Sequence, residues 1–126
     1  MNTLARAAVV VGFGLFGTAA SAADFTGRWS VSMTTDSGIC EKSESYFVAI
    51  DSGRVRYIAP AGEPGPAITG SVSPTGAVAV GIQKGMGRAE VVGRLQGSSG
   101  GGTWQAVGFC TGRWSAQKRG PVHASN

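Results

Sequence analysis

Few residues in this chain are equipped for chemistry, and their spacing decides what each can do. The only histidine, His123, follows Gly120-Pro121 near the C-terminus. No Ser-His-Asp or Cys-His relay can be assembled around a base held in such a tail. Nor can it anchor a metal site, which needs three or four convergent ligands. Ser115-Ala116-Gln117-Lys118 has the Ser-x-x-Lys spacing that lets a lysine activate a serine at a helix start. On a strand, however, positions three apart point to opposite faces. Lys84-Gly85-Met86-Gly87 would cradle a phosphate only if a helix followed and aimed its N-terminus at the anion. A β run follows instead. Glu41 and Glu44 are the one close pair of acids, and within a strand they would also face opposite sides. The chemistry on offer points away from an enzyme, and it calls for no cofactor and no metal.

Cys40 and Cys110 are the only cysteines. Their redox state depends on where the chain goes. It opens MNTLARAAVVVGFGLFGTAASAADF, with Arg6 before an uncharged, mostly apolar stretch that ends in Ala20-Ser21-Ala22. A basic start, an apolar run and a small-x-small site read as a signal peptide over residues 1–22, cleaved before Ala23. The run is shorter than the roughly 20 apolar residues of a spanning helix. The expected location is therefore periplasmic or secreted, where two cysteines pair as one disulfide. Closing a loop of roughly 70 residues would stabilise the fold by about 4 kcal/mol in the chain-entropy model.

What remains is one domain over residues 23–119 and a disordered tail over 120–126. The chain carries a net charge of +4, and the basic residues are dispersed, clustering only at Lys118-Arg119. Dispersed charge of this size favours solubility and is not a nucleic-acid footprint.

The elements that must position these residues are strands. No helical period is present, and 18 of the 21 glycines lie beyond residue 22, between or inside short alternating runs. Runs over 25–34, 39–50, 54–59, 68–73, 77–83, 88–96, 103–107 and 111–119 alternate apolar with polar residues. Thr35–Gly38, Asp51–Gly53, a "PTG" turn and Lys84–Gly87 connect them, and the prolines of AGEPGPA make a longer loop. Gly97–Gly102, GSSGGG, reads as a flexible connection. The expected fold is all-β, an eight-stranded antiparallel up-and-down barrel with one disulfide. Both cysteines then fall at one end of it, on the two neighbours of the first strand.

The pentapeptide TGRWS occurs at Thr26–Ser30 and again at Thr111–Ser115. In a closed eight-stranded barrel the first and last strands are antiparallel neighbours. Pairing Gly27 with Trp114 puts Trp29 opposite Gly112, so each indole covers the other strand's glycine. A third Gly-x-Trp, Gly102-Thr103-Trp104, adds a third indole. The same register sets Arg28 against Arg113, which is unfavourable unless the register slips or an anion intervenes.

Gly27-x-Trp29 on a first strand, with Lys118 or Arg119 near the end of the last, resembles the lipocalin and avidin barrels. The mature chain with its GRLQGSSGGGTW…CTGRW ending is similar to small exported bacterial β-barrel proteins of unassigned function. It also resembles periplasmic inhibitors of secreted metalloproteases, which share the size, the strand number, the Gly-x-Trp and the single disulfide. The aromatic residues serve either as barrel filling or as a ligand site. The inward Gly and Ala positions, Gly70, Ala79 or Gly81, Ala89, Gly93 and Ala106, imply either closely approaching strands or space. The leading expectation is a binding module for a small apolar or aromatic ligand, with Trp29, Tyr46, Tyr57, Trp104 and Trp114 as its site. The alternative is an inhibitor of an exported hydrolase, acting through a flexible, protruding Ala23-Asp24-Phe25 arm and a loop.

Overall fold

Side chains alternating in and out carry eight strands through a full turn. The computed structural model describes residues 24–62 and 65–122; residues 1–22, read from the sequence as a signal peptide, and His123 lie outside the described residues. The strands are β1 (Gly27–Gly38), β2 (Ser43–Asp51), β3 (Arg54–Tyr57), β4 (Ala67–Val72), β5 (Ala77–Lys84), β6 (Gly87–Gln96), β7 (Ser99–Ala106) and β8 (Cys110–Gly120). Each pairs antiparallel with the next, and β8 returns to β1, closing the barrel. Closure leaves no free sheet edge. β8 runs through Gly120, so the residue assigned to the start of the tail belongs to the sheet.

Two connections differ from their sequence reading. Thr35–Gly38 does not turn; β1 continues through Gly38, and the reversal falls at 39–42. GSSGGG is not a flexible linker either. Only Gly97 and Ser98 form its turn, and β7 begins at Ser99. The glycines that follow are there because neighbouring groups occupy the space a side chain needs. A Cβ at Gly100 would stand 2.5 Å from both Arg94 O and Leu95 Cδ2. Composition signals flexibility in such a run, but close strand approach uses the same residue.

The turn at Asp51–Gly53 is as tight as read, with positive φ at both Ser52 (53°) and Gly53 (79°). That combination matches the twist of a two-residue hairpin, for which Asn-Gly is the favoured pair. Serine tolerates left-handed backbone poorly. Ser52→Asn is therefore expected to raise stability by about 1 kcal/mol or less, read as a higher midpoint in urea.

The repeated pentapeptides do lie on neighbouring strands, but not in the expected register. Trp29 faces Lys118, Met33 faces Trp114 and Thr35 faces Gly112. The reciprocal Gly–Trp arrangement forms one strand over, between β7 and β8: Gly102 faces Trp114, and Trp104 faces Gly112. The Trp104 indole crosses Gly112 and donates Nε1–H to Thr34 O on β1 at 3.1 Å. Trp114 crosses Gly102 in the other direction and donates to Val92 O on β6 at 2.9 Å. Each indole thus spans three strands.

The slipped register also removes the arginine conflict. Arg28 lies opposite Gly120, while Arg113 lies opposite Thr34. Arg113 instead holds Asp36 in a two-point ion pair at 2.9 and 2.8 Å. That contact keeps the Asp36 carboxyl below its ordinary pKa, through the hydrogen bonds first and charge attraction second.

Candidate functional site

The two barrel ends differ because of what the sequence places at their connections. At one end the chain enters through Asp24–Thr26. Phe25 folds inward there and is 7% exposed, against the β4–β5 turn at Gly76. Trp29, 1% exposed, donates Nε1–H to Phe25 O at 2.9 Å and seals this end. Lys118, opposite Trp29, lays its stem over Gly27, while Arg119 points outward and bonds Ser30 Oγ. Of the two basic residues considered beside the Gly-x-Trp, Lys118 is the one that packs there. The described part of the N-terminal arm is thus a lid on the closed end, not a protruding probe.

The opposite end is open. The disulfide Cys40–Cys110 stands there, with Cα atoms 6.0 Å apart, tying the β1–β2 connection to the start of β8. Between the β5–β6 hairpin and the β7–β8 turn lies a mouth of about 380 Å³. Its apolar wall includes Met33, Ile82, Ala89, Trp104, Ala106 and Phe109. The space exists because Ala89 and Ala106 face each other across β6 and β7, where larger side chains would meet. Around the rim, Ile39, Met86, Val107 and Phe109 are all exposed, on three different connections.

One side of the mouth is polar. Tyr46 gives its phenolic hydrogen to Glu44, whose other carboxylate oxygen is 3.7 Å from Lys84 Nζ. Burial and then the bond to that carboxylate push the Tyr46 pKa well above the ordinary phenol value. The phenol is therefore a fixed donor, not a base. Glu41 lines the same mouth, since it sits in the connection ahead of β2, so the two acids do not diverge as a continuous strand would have required. Arg88 is turned to Glu90 at 3.0 Å. The one hydroxyl–carboxylate pair among these described side chains is Tyr46–Glu44.

Below the mouth is a second space of about 60 Å³, reaching down to Trp29. Met33, Tyr46 and Ile82 line both spaces and form the neck between them.

The five aromatic residues expected to form one site are divided among these levels. Trp29 and Trp114 line only the deep void, Trp104 only the mouth, and Tyr46 both. Tyr57 lines neither; it packs edge-on behind Tyr46, with ring centroids 5.9 Å apart. The inward small residues also divide. Gly70 and Gly93 mark close approach, with a Cβ at Gly70 only 2.4 Å from Ala79 O. Ala89 and Ala106 leave space, whereas Ala79 is exposed on the outer wall. Sequence reasoning passed over Met33, Ile82, Glu44, Lys84 and Arg88 as site residues. The available signal was their place at strand ends flanking the β1–β2 and β5–β6 connections, on one barrel end.

Among the described residues no three His, Cys, Asp or Glu side chains gather as a metal ion would require. No helix there is long and apolar enough to cross a membrane. The class defined by this geometry is a closed, eight-stranded antiparallel barrel, disulfide-linked, with one sealed end and one apolar mouth. No family model matches the chain, and no curated protein matches it.

Proposed function

We propose that this protein is an exported, non-enzymatic binding module that holds a small apolar or aromatic ligand in the open end of its barrel. The observation that carries the reading is the mouth itself. At about 380 Å³ it falls within the range of small-molecule sites, roughly 300–1,000 Å³. Its apolar wall with a few fixed polar groups on one side is the usual composition of such sites. The intramolecular disulfide is compatible with an oxidising location, periplasmic or secreted. Gly27, Trp29 and the inward Lys118 support the likeness to lipocalin and avidin barrels. The alternative reading, an inhibitor of an exported hydrolase, would have to act through a loop, because Phe25 of the N-terminal arm is packed under the barrel.

The neutral fluorescent probe N-phenyl-1-naphthylamine tests this. It is expected to bind saturably with one-to-one stoichiometry and enhanced emission. Ala89→Phe fills the mouth and is expected to weaken binding at least about ten-fold, the equivalent of roughly 1.4 kcal/mol. Ala79→Ser, on the outer wall, should leave it unchanged. Equal binding by the wild type and Ala89→Phe, with both folded by circular dichroism, would place the probe elsewhere and overturn the reading.

A further inference from the structure

We infer that the ligand is a single-chain amphiphile: a linear alkyl tail passes the Met33–Tyr46–Ile82 neck into the deep void, and the polar head stays in the mouth. This inference rests on the mouth being the ligand site and adds the ligand's chemical class.

The deep void offers a guest nothing to hydrogen-bond. Three of its lining side chains carry polar atoms, and each is engaged elsewhere. Trp29 Nε1 bonds Phe25 O, Trp114 Nε1 bonds Val92 O, and the Tyr46 hydroxyl bonds Glu44. The rest of the lining is aliphatic or thioether. A dry apolar space of this kind takes apolar guests and excludes water. Its size then selects among them. An engineered cavity of about 150 Å³ holds a benzene ring, whereas this one has about 60 Å³. A ring does not fit; the end of a slender chain does.

The neck suits the same guest. Met33 is unbranched and can shift to admit a chain, while Tyr46 is pinned through Glu44 and backed by Tyr57. Above the neck the character reverses. Glu41, Glu44, Lys84 and Arg88 border the mouth, so a polar head there keeps its hydrogen-bond partners. Mouth, neck and void taken in series therefore read polar at the top and hydrocarbon at the bottom.

The test uses 1-alkanols from hexanol to dodecanol, measured by calorimetry or by displacement of N-phenyl-1-naphthylamine from the full barrel. Each methylene that enters the void should tighten wild-type binding about four-fold. Val80 and Val31 line the deep void and not the mouth. In Val80→Phe the gain should stop at a shorter chain, with short alkanols binding as in the wild type. Val31→Leu, which adds a single methylene, is the milder plug and is expected to shorten the limit by one carbon or more. Thermal melts establish that each variant is folded. A limit at the same chain length in the wild type and in either folded variant would overturn the inference, since the tail would not be entering the void. Binding of the naphthylamine without any alkanol would also overturn it, while leaving the mouth as the site. Binding of neither would remove both readings.

Discussion

Replacing Trp104 by alanine is expected to lower the unfolding free energy by about 3–5 kcal/mol. Gly112→Ala, which adds one methyl group beneath the same indole, is expected to cost about 1–3 kcal/mol. The two effects share a cause. Trp104 is 7% exposed, and its removal leaves a cavity while breaking the bond to Thr34 O. A Cβ at Gly112 would lie 2.7 Å from Trp104 Nε1 and 2.8 Å from Cε2, and would also press on Thr34 O. With the indole gone, the two contacts with it are relieved, while the closest one, to the Thr34 carbonyl oxygen, remains. The double variant should therefore cost less than the two single changes together, by about 1 kcal/mol, within the usual range for residues in contact. Gly87→Ala serves as the control, because the nearest atom to its Cβ is Lys84 O at 3.5 Å, an ordinary contact. Urea unfolding followed by circular dichroism gives all four values. Strict additivity of Trp104→Ala and Gly112→Ala would mean the indole does not rest on that glycine.

The Gly–Trp seam shows how far the sequence could be read and where it stopped. That indoles cover glycines across an antiparallel pair followed from the spacing Gly-x-Trp, because residues two apart share a face. Which pair of strands does so did not follow. Three copies of the spacing exist, and the match between the two identical pentapeptides drew attention to β1 and β8. In the fold the third copy, Gly102-Thr103-Trp104, takes the partner's place, and Trp29 is left to face Lys118. Register depends on connection lengths and bulges, and β1 carries irregularities between Arg28 and Trp29 and between Thr35 and Ser37. Neither leaves a compositional trace. The unfavourable Arg28–Arg113 opposition was the one legible hint that the register had to slip.

The site was legible only in part, for a similar reason. Alternation identifies which side chains face inward, and it placed Trp29, Tyr46, Trp104 and Trp114 correctly inside the barrel. It carries no information on height along the axis. The height is what separates Trp29, sealed beneath Phe25, from Trp104 at the mouth, and it leaves Tyr57 as a support behind Tyr46. Small residues were ambiguous in the same way. Gly93 and Ala89 lie four residues apart on one face of β6, yet one is covered by an indole and the other opens the mouth. What fills the space above a small residue comes from another strand, and local sequence does not record it.

Removing the disulfide is expected to be the other large perturbation, and its consequences should be uneven along the barrel. The Cys40→Ser, Cys110→Ser double variant should lose about 2–5 kcal/mol of stability, the range for a native bridge in a small domain. The bridge spans 70 residues and so constrains most of the unfolded chain. In the folded state its direct hold is local. It ties the 39–42 connection to β8 where Gly38 meets Cys110, and Cys40 itself borders the mouth. Without it, hydrogen bonds such as Thr35 N–H to Lys42 O, Thr35 Oγ1–H to Glu41 O and Ile39 N–H to Phe109 O keep that connection against the barrel. Amide exchange should therefore speed up over residues 35–43 while the sealed end, around Trp29 and Ile50, stays protected. Affinity for N-phenyl-1-naphthylamine should fall as well, because one wall of the mouth is loosened while the deep core around Trp29 is not. Stability would be read from urea midpoints, protection from amide exchange by mass spectrometry, and affinity from probe titration of the folded double variant. Uniform loss of protection at both ends would show that the bridge acts on the unfolded chain alone. Unchanged probe affinity in a variant that had lost protection at 35–43 would separate the ligand from the disulfide-bearing mouth.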